Sequence, residues 1–484
     1  MAQIKKGPAL DAKYYINSLI GLFFLLGFGH IPAIEPLTRV GMQIAGIFIG
    51  LIYLWSTVDL IWPSILGILA FGLSDYCTMT EAIAAGLGSQ VVWMLIMLMM
   101  ISEAIRVSGV GEIIARWIIT RKILNGRPLL FTFIYLWVFF ICTVLLQQIA
   151  AIFLSWAIFY SIADLVGYKK GDRYSTMMII GSLLASVVGG GIIPFQGWML
   201  ALCQTYGEAS GTPINYIQYM LVAVVLGSVL MLLVALSIKY VFRCDLEKLK
   251  NFDVSSLSST GSLKMNYRQL AYLGAFVIII AYMLLTTLLP AEWPVTQLMN
   301  RFSQAGIFGI LVVLLCLIRI NGEPLLDFKK TAEKGINWNV ILICSSAIPI
   351  ASALTSDVTG VKVLFTNLLS PVFSGMGVLP FLTIVVVATV VLTNIGSNIG
   401  VAMMLIPIIL PFVDRLGISP AIPGMAIIFI ANLGFVLPGS SAMAPFLYSN
   451  EWVQVRDIYK YGAYYCLLFV LEAVPVLYLF SRFL

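Results

Sequence analysis

Apolar segments of roughly 18–25 residues with few charges follow one another along almost the whole of this chain, each long enough to cross a bilayer as a helix. Of the 484 residues, 61% are hydrophobic and 10% charged. A soluble domain carries about 25% charged residues. No water-soluble fold has an interior large enough to hide that much apolar surface. A transmembrane barrel would alternate polar and apolar residues over short strands, and these runs do not alternate. The chain reads as an all-α polytopic membrane protein.

The apolar segments fall at about 15–34, 39–57, 60–74, 89–108, 174–204, 216–242, 268–290, 302–320, 337–353, 421–448 and 458–482. Two further regions, 128–166 and 374–413, are too long for one crossing and turn polar near the middle. Each reads as a re-entrant helical hairpin, which is allowed where protein shields it from lipid. The longest polar stretch, 243–266, reads as a cytoplasmic linker. On either side of it the same order recurs: a span, an amphipathic piece (110–122 or 357–370), a hairpin, a broken span (174–204 or 421–448) and a last span. The spans that open the two series run in opposite directions, so the expected architecture is an inverted repeat with two re-entrant hairpins and two broken transmembrane helices. The expected division is 1–57 as N-terminal helices, 58–242 as the first repeat, the linker, and 267–484 as the second half with the second repeat.

With the N-terminus inside, 22 of the 28 lysines and arginines fall on the cytoplasmic side, five fall outside, and Arg106 is left near a helix end. Positive charge favours the cytoplasmic face, so a multi-pass protein of a cytoplasmic (inner) membrane is expected. The start, M-A-Q-I-K-K-G-P, feeds the first apolar segment with no small-residue cleavage site and reads as a retained signal-anchor. The piece 110–122, with Arg116, Arg121 and Lys122 among apolar residues, suits a helix at the cytoplasmic interface or a charged helix end with snorkelling side chains. The seven cysteines are scattered without a CxxC pair, so neither a disulfide framework nor zinc is indicated. One histidine, His30, leaves no basis for histidine metal binding. No nucleotide loop or nucleophile–base pair occurs, which argues against an enzyme or ATP-driven pump. No cofactor and no nucleic-acid partner are expected.

The polar breaks are where chemistry can sit. Around 390–402 the chain reads V-L-T-N-I-G-S-N-I-G-V-A-M, and around 430–446 I-A-N-L-G-F-V-L-P-G-S-S-A-M-A-P-F. Unpaired backbone in hydrocarbon costs several kcal/mol per group, so such breaks persist only where they are buried in protein or line a cavity. Breaks in corresponding places of two halves point to a transporter's binding site. Thr393, Asn394, Ser397, Asn398 and Gly400 offer hydroxyl, amide and turned backbone oxygens that suit Na⁺, and the helix starting near Asn398 offers free N–H groups to an anion. Gly439 and Ser440 between Pro438 and Pro445 read as an unwound segment whose carbonyls are freed. The plainer alternatives are close helix packing by small residues and a simple proline kink. In the first half the matching places hold Thr143, Gln147 and Gln148 at the hairpin tip, and Gly189-Gly190-Gly191 with Gln196 in the broken span. Asp59, Glu103, Arg106 and Glu472 lie in or near spans; Glu103 and Arg106 are spaced to pair along one helix.

The order of elements resembles the divalent anion:sodium symporter family, part of the ion-transporter superfamily, from about residue 40 to the end. That family carries Ser-Asn-Thr at each hairpin tip, and Ser397-Asn398-Ile399 matches two of three positions. A-N-L-G-F-V-L-P-G-S-S is similar to its small-residue run before a Thr-Pro pair, with Ser441 where threonine is usual. A-S-V-V-G-G-G-I-I-P is similar to its A-S-x-G-G run. The resemblance implies a homodimer moving like an elevator, with a di- or tricarboxylate or sulfate held between the tips and one sodium ion at each tip. Substrate contacts would fall to Gln147, Gln148, Gln196, Asn398, Ile399, Ser441 and Pro445. The second sodium site would use Thr393, Asn394, Ser397, Asn398, Gly400, Gly439 and Ser440, and the first Thr143, Gly189, Gly190 and Gly191. Gln147-Gln148-Ile149 departs from the pattern at the first tip and Ile399 at the second. The expected activity is therefore secondary transport of a small organic anion coupled to sodium. A sodium-independent anion exchanger is the alternative, ahead of a channel or membrane enzyme.

Overall fold

The computed structural model describes residues 12–483 except 196–197, 252–263, 291, 374, 397, 414–415 and 439. The candidate residues Gln196, Ser397 and Gly439, and the middle of the polar 243–266 stretch, lie outside the described residues. Among those described, eight helices are long and apolar enough to cross a membrane, or up to ten if each sharply bent pair is one span.

The chain opens with α1 (Ala12–Leu22), α2 (Arg39–Thr57), α3 (Ile61–Leu73), α4 (Met79–Ala85) and α5 (Gln90–Ser108). It continues through α6 (Val110–Ile119), α7 (Pro128–Leu146), α8 (Gln148–Val166), α9 (Arg173–Gly189), α10 (Met199–Ser210) and α11 (Tyr216–Leu236). The second half begins with α12 (Tyr267–Leu288), α13 (Pro294–Leu317), α14 (Phe328–Gly335), α15 (Trp338–Thr355) and α16 (Val361–Phe373). It ends with α17 (Val378–Ile395), α18 (Asn398–Ile409), α19 (Ala421–Ile430), α20 (Ala444–Tyr448) and α21 (Val455–Phe480).

Two compact units share this chain. One comprises the residues up to Val92 and Trp338–Val372, the other Trp93–Asn337 and Phe373–Leu484. All of the candidate residues at the tips and breaks belong to the second unit.

Two elements are additions to what hydropathy indicates. The short helix α4 starts on a capping box, with Thr78 Oγ1 accepting from the Glu81 N–H and Glu81 accepting from the Thr78 N–H. Arg319–Ile320 and Glu323–Pro324 form a small antiparallel hairpin. Asn321 and Gly322 turn it with φ of 57° and 84°, the conformation that Asn-Gly adopts readily. The span expected at 302–320 belongs to a longer helix, α13, that bends at Ser303, where φ is 54°.

Both long apolar regions are helical hairpins. One residue, Gln147, separates α7 from α8, and its φ of 63° turns the chain back. The arms then lie side by side, with Tyr135 of α7 hydrogen-bonded to the Ser155 carbonyl and its ring 6.3 Å from that of Phe159. The second hairpin joins α17 to α18 through Gly396, which is extended. At its base Phe373 lies 5.4 Å from Phe381 and 4.8 Å from Phe412. Both segments expected to be broken are broken. Helix α9 stops at Gly189 and α10 starts at Met199; α19 runs into a 3₁₀ turn at Ala431–Leu433, and helix resumes only at α20. Helices α7 and α8 both pack on α9, α10 packs on α18, and α17 packs on α21.

Candidate functional site

At the second tip, side chains take up the groups that the break sets free. The last helical turn of α17 presents Thr393, fully buried, and Asn394. Thr393 Oγ1 lies 2.8 Å from Asn398 Oδ1 and 2.9 Å from the Ala431 carbonyl. Asn394 Nδ2 donates to the Val390 and Leu433 carbonyls at 2.8 and 3.1 Å. Asn394 Oδ1 accepts from the Phe435 and Val436 N–H groups at 3.2 and 3.0 Å. One amide thus pairs the Leu433 carbonyl and the Phe435 and Val436 N–H groups, which a continuous helix would pair internally, and adds a bond to the Val390 carbonyl inside α17. Gly434 lies hard against the tip: a Cβ there would sit 2.2 Å from Asn398 Oδ1 and 2.6 Å from the Thr393 carbonyl oxygen. Helix α18 begins at Asn398, with Ile399 half-buried and Gly400 buried in its first turn. Further on, Ser440 is buried and its hydroxyl donates to the Leu437 carbonyl. Ser441 Oγ accepts from the Met443 and Ala444 N–H groups at 3.2 and 3.3 Å, in the turn that leads into α20. Pro445 is exposed in the first turn of α20.

The first tip is tied down differently. Thr143 is buried and donates to the Phe139 carbonyl. Gln147 is half-buried, and no hydrogen bond of its side chain is found among the described residues. Gln148 Nε2 donates to the Val187 carbonyl at 2.9 Å and to Asn432 Oδ1 at 3.3 Å. The three glycines of the break each meet a different neighbour. A Cβ on Gly189 would lie 2.1 Å from the Phe140 carbonyl oxygen, on Gly190 2.2 Å from Gln148 Nε2, and on Gly191 2.7 Å from Asn432 Nδ2. The carbonyls of Gly189 and Gly191 accept from the Ile192 N–H and the Tyr219 hydroxyl.

Asn432 is the residue that sequence reading passed over. It sits in the 3₁₀ turn of the second break and reaches the first, donating to Met199 Sδ and to the Phe429 carbonyl while accepting from Gln148. The available signal was an amide in an apolar run two residues before a glycine. The intramembrane charges divide. Glu103 and Arg106 form a bidentate pair at 2.5 and 2.7 Å, and Asp59 Oδ1 accepts from the Leu60 and Ile61 N–H groups just before α3. Glu472 is 5% exposed, and neither carboxylate oxygen has a hydrogen-bond partner among the described residues.

Comparison with known proteins places this geometry. Residues 12–484 match the sodium:sulfate symporter transmembrane region family. The sodium-dependent dicarboxylate transporter SdcS of Staphylococcus saprophyticus is 21% identical over 326 residues, 64% of this chain and 61% of that protein. An uncharacterized transporter of Methanocaldococcus jannaschii is 23% identical over 192 residues, 39% of this chain and 41% of that protein. The match thus spans less than two thirds of either relative. Among solved structures, the YdaH transporter of Alcanivorax borkumensis superposes with a TM-score of 0.59 at 14% identity, covering 96% of this chain and 98% of that one. MtrF of Neisseria gonorrhoeae gives 0.55 at 13% identity, covering 97% and 95%. At these identities the two structures speak for the fold, an all-helical membrane protein with broken and re-entrant helix pairs. The chain belongs to the sodium:sulfate symporter transmembrane region family and is a multi-pass membrane protein.

Proposed function

We propose that the protein carries a small organic anion, a di- or other carboxylate, across the membrane with sodium as coupling ion bound at the second tip. The observation that carries this reading is the gathering of oxygens around Gly434. The Thr393 carbonyl and hydroxyl, Asn398 Oδ1 and the Ala431 carbonyl all belong to that junction. Hard oxygen donors from turned backbone and neutral side chains suit an alkali cation. The first turn of α18 directs free N–H groups and the positive end of a helix toward the same tip, which suits a carboxylate. Cation and anion then neutralise one another where bilayer and protein offer little solvation. Gln147, whose side chain has no hydrogen bond among the described residues, and the Ser441 hydroxyl are the anion's further contacts. Ile399 puts a methyl-bearing surface where a hydroxyl would favour a second carboxylate, which tilts preference toward anions with fewer such groups. Alternating access follows an elevator-type movement within a homodimer.

The test is uptake into proteoliposomes of a panel of labelled mono-, di- and tricarboxylates and sulfate, with and without an inward sodium gradient. Sodium-stimulated uptake of a carboxylate is the expected result. Uptake that ignores sodium but rises with an internal counter-anion overturns the coupling and leaves an exchanger. Asn398→Ala should weaken sodium activation; unchanged uptake and affinity in that variant would remove the second tip as the ion's seat. Mass measurement in detergent checks the dimer.

A further inference from the structure

The two tip-and-break junctions are built alike but with opposite polarity. In each, a buried threonine on the outgoing arm is followed, at the same spacing, by an amide residue that opens the returning arm: Thr143 and Gln148, Thr393 and Asn398. In each, that amide reaches a glycine of the neighbouring broken helix. A Cβ on Gly434 would lie 2.2 Å from an oxygen, Asn398 Oδ1. A Cβ on Gly190 would lie 2.2 Å from a nitrogen, Gln148 Nε2. The partners dictate which end of Gln148 faces inward. Val187 offers a carbonyl, which only accepts, and it lies 2.9 Å from Nε2. Asn432 turns its oxygen to Gln148 because its own Nδ2 donates to Phe429 and Met199. The Val187 carbonyl is itself a product of the break: the Gly191 N–H, its regular helical partner, bonds to Val188 instead.

We propose that the Gln148 amide is a built-in substitute for a cation at the first junction, so that an ion coupled to transport binds only at the second. The argument is one of charge. A freed carbonyl and an amide oxygen converge and need positive charge between them. At the first junction the two hydrogens of Nε2 supply it. A sodium ion brought to the same oxygens would face those N–H dipoles head-on and would have to expel the side chain. At the second junction the residue in the equivalent place turns an oxygen inward, and the donor found for Asn398 Oδ1 and the Ala431 carbonyl among the described residues is the single Thr393 hydroxyl hydrogen, which serves one of them at a time. The first junction is therefore closed in every step of the cycle, and ion-dependent ordering is confined to the second hairpin. This inference rests on the sodium reading of the second tip for its ion count, but its claim about Gln148 stands separately.

Equilibrium dialysis of the purified full-length protein against ²²Na⁺ tests it. The wild type should bind about one ion per chain, and Gln148→Asp or Gln148→Ser, which replace the donor by an oxygen, should each gain about one more. Two ions on the wild type, or no gain in a variant that keeps the wild-type elution profile, overturns the proposal. If both variants fail to fold, the wild-type count still decides, one supporting and two overturning. No ion on the wild type sinks the sodium reading of the second tip; a gain in either variant would then still uphold the Gln148 substitution, and no gain in a folded variant, or variants that do not fold, would end it.

Discussion

Gln147 and Gln148 are adjacent and chemically identical, yet they stand in opposite situations. Gln147 turns the hairpin with φ of 63° and keeps a half-buried side chain with no hydrogen bond found among the described residues; Gln148 is bonded into two other elements. Gln147→Ala should leave thermal stability unchanged and raise the transport KM about tenfold, the effect of losing one hydrogen bond to a charged group. Gln148→Ala should instead lower the melting temperature, because it strands the Val187 carbonyl. The glycines separate in the same manner. Gly189→Ala drives a methyl into the Phe140 carbonyl, part of a rigid helix, and should cost about 3 kcal/mol or more in detergent unfolding. Gly190→Ala meets the end of a flexible side chain that can swing away, and should cost about 1–2 kcal/mol, the lost hydrogen bond. Equal destabilisation by the two would contradict this account. That glutamines and glycines cluster at the first junction is legible in the sequence. Which glutamine is structural is not, since it depends on a carbonyl in a helix far along the chain.

At the scale of elements, each break is sustained by side chains that replace the missing helical bonds. Asn394 alone makes three such bonds, and a fourth to the Val390 carbonyl inside α17, so Asn394→Ala leaves the Leu433 carbonyl and the Phe435 and Val436 N–H groups to find other partners. A loss of about 2–4 kcal/mol is expected, with weakened sodium activation. Asn394→Asp should recover the two N–H bonds but not the carbonyl ones, and fall between. Ser441→Ala removes the acceptor of the Met443 and Ala444 N–H groups before α20 and should cost about 1 kcal/mol by chemical denaturation. Hairpins and broken helices were readable because their signals are local: an apolar run too long for one crossing, and Gly, Pro and Ser packed into a few residues. The bend of α13 at Ser303 and the Asn321-Gly322 hairpin escaped because hydropathy averages over windows longer than either. The Thr78–Glu81 box that starts α4 was a signal of sequence, but one of capping rather than of apolarity.

Across the larger unit, contacts between distant segments hold the two series of helices together. The turn between α20 and α21 grips the first hairpin: Asn450 Nδ2 donates to the Tyr160 hydroxyl at 2.7 Å, Trp452 stacks on Tyr160 at 5.0 Å, and Glu451 pairs with Lys170 at 2.8 Å. Lys170, by hydrogen bond and by charge, holds the Glu451 carboxyl below its ordinary range. A depressed carboxylate contributes stability above the unfolded value of about 4.3, and that contribution disappears as pH falls through the folded value. The pair is exposed, so the effect is small and screened by salt. Glu451→Gln should therefore lower the melting temperature slightly at pH 7 and not at pH 3, and high salt should mask the difference. The sequence alone determined that this chain is an all-helical membrane protein with two hairpins and two broken helices, because bilayer thickness and backbone hydrogen bonding act on short stretches of residues. The tertiary structure decided what those breaks do. An amide can offer a donor or an acceptor, and only the group folded against it selects which, as the Val187 carbonyl does for Gln148.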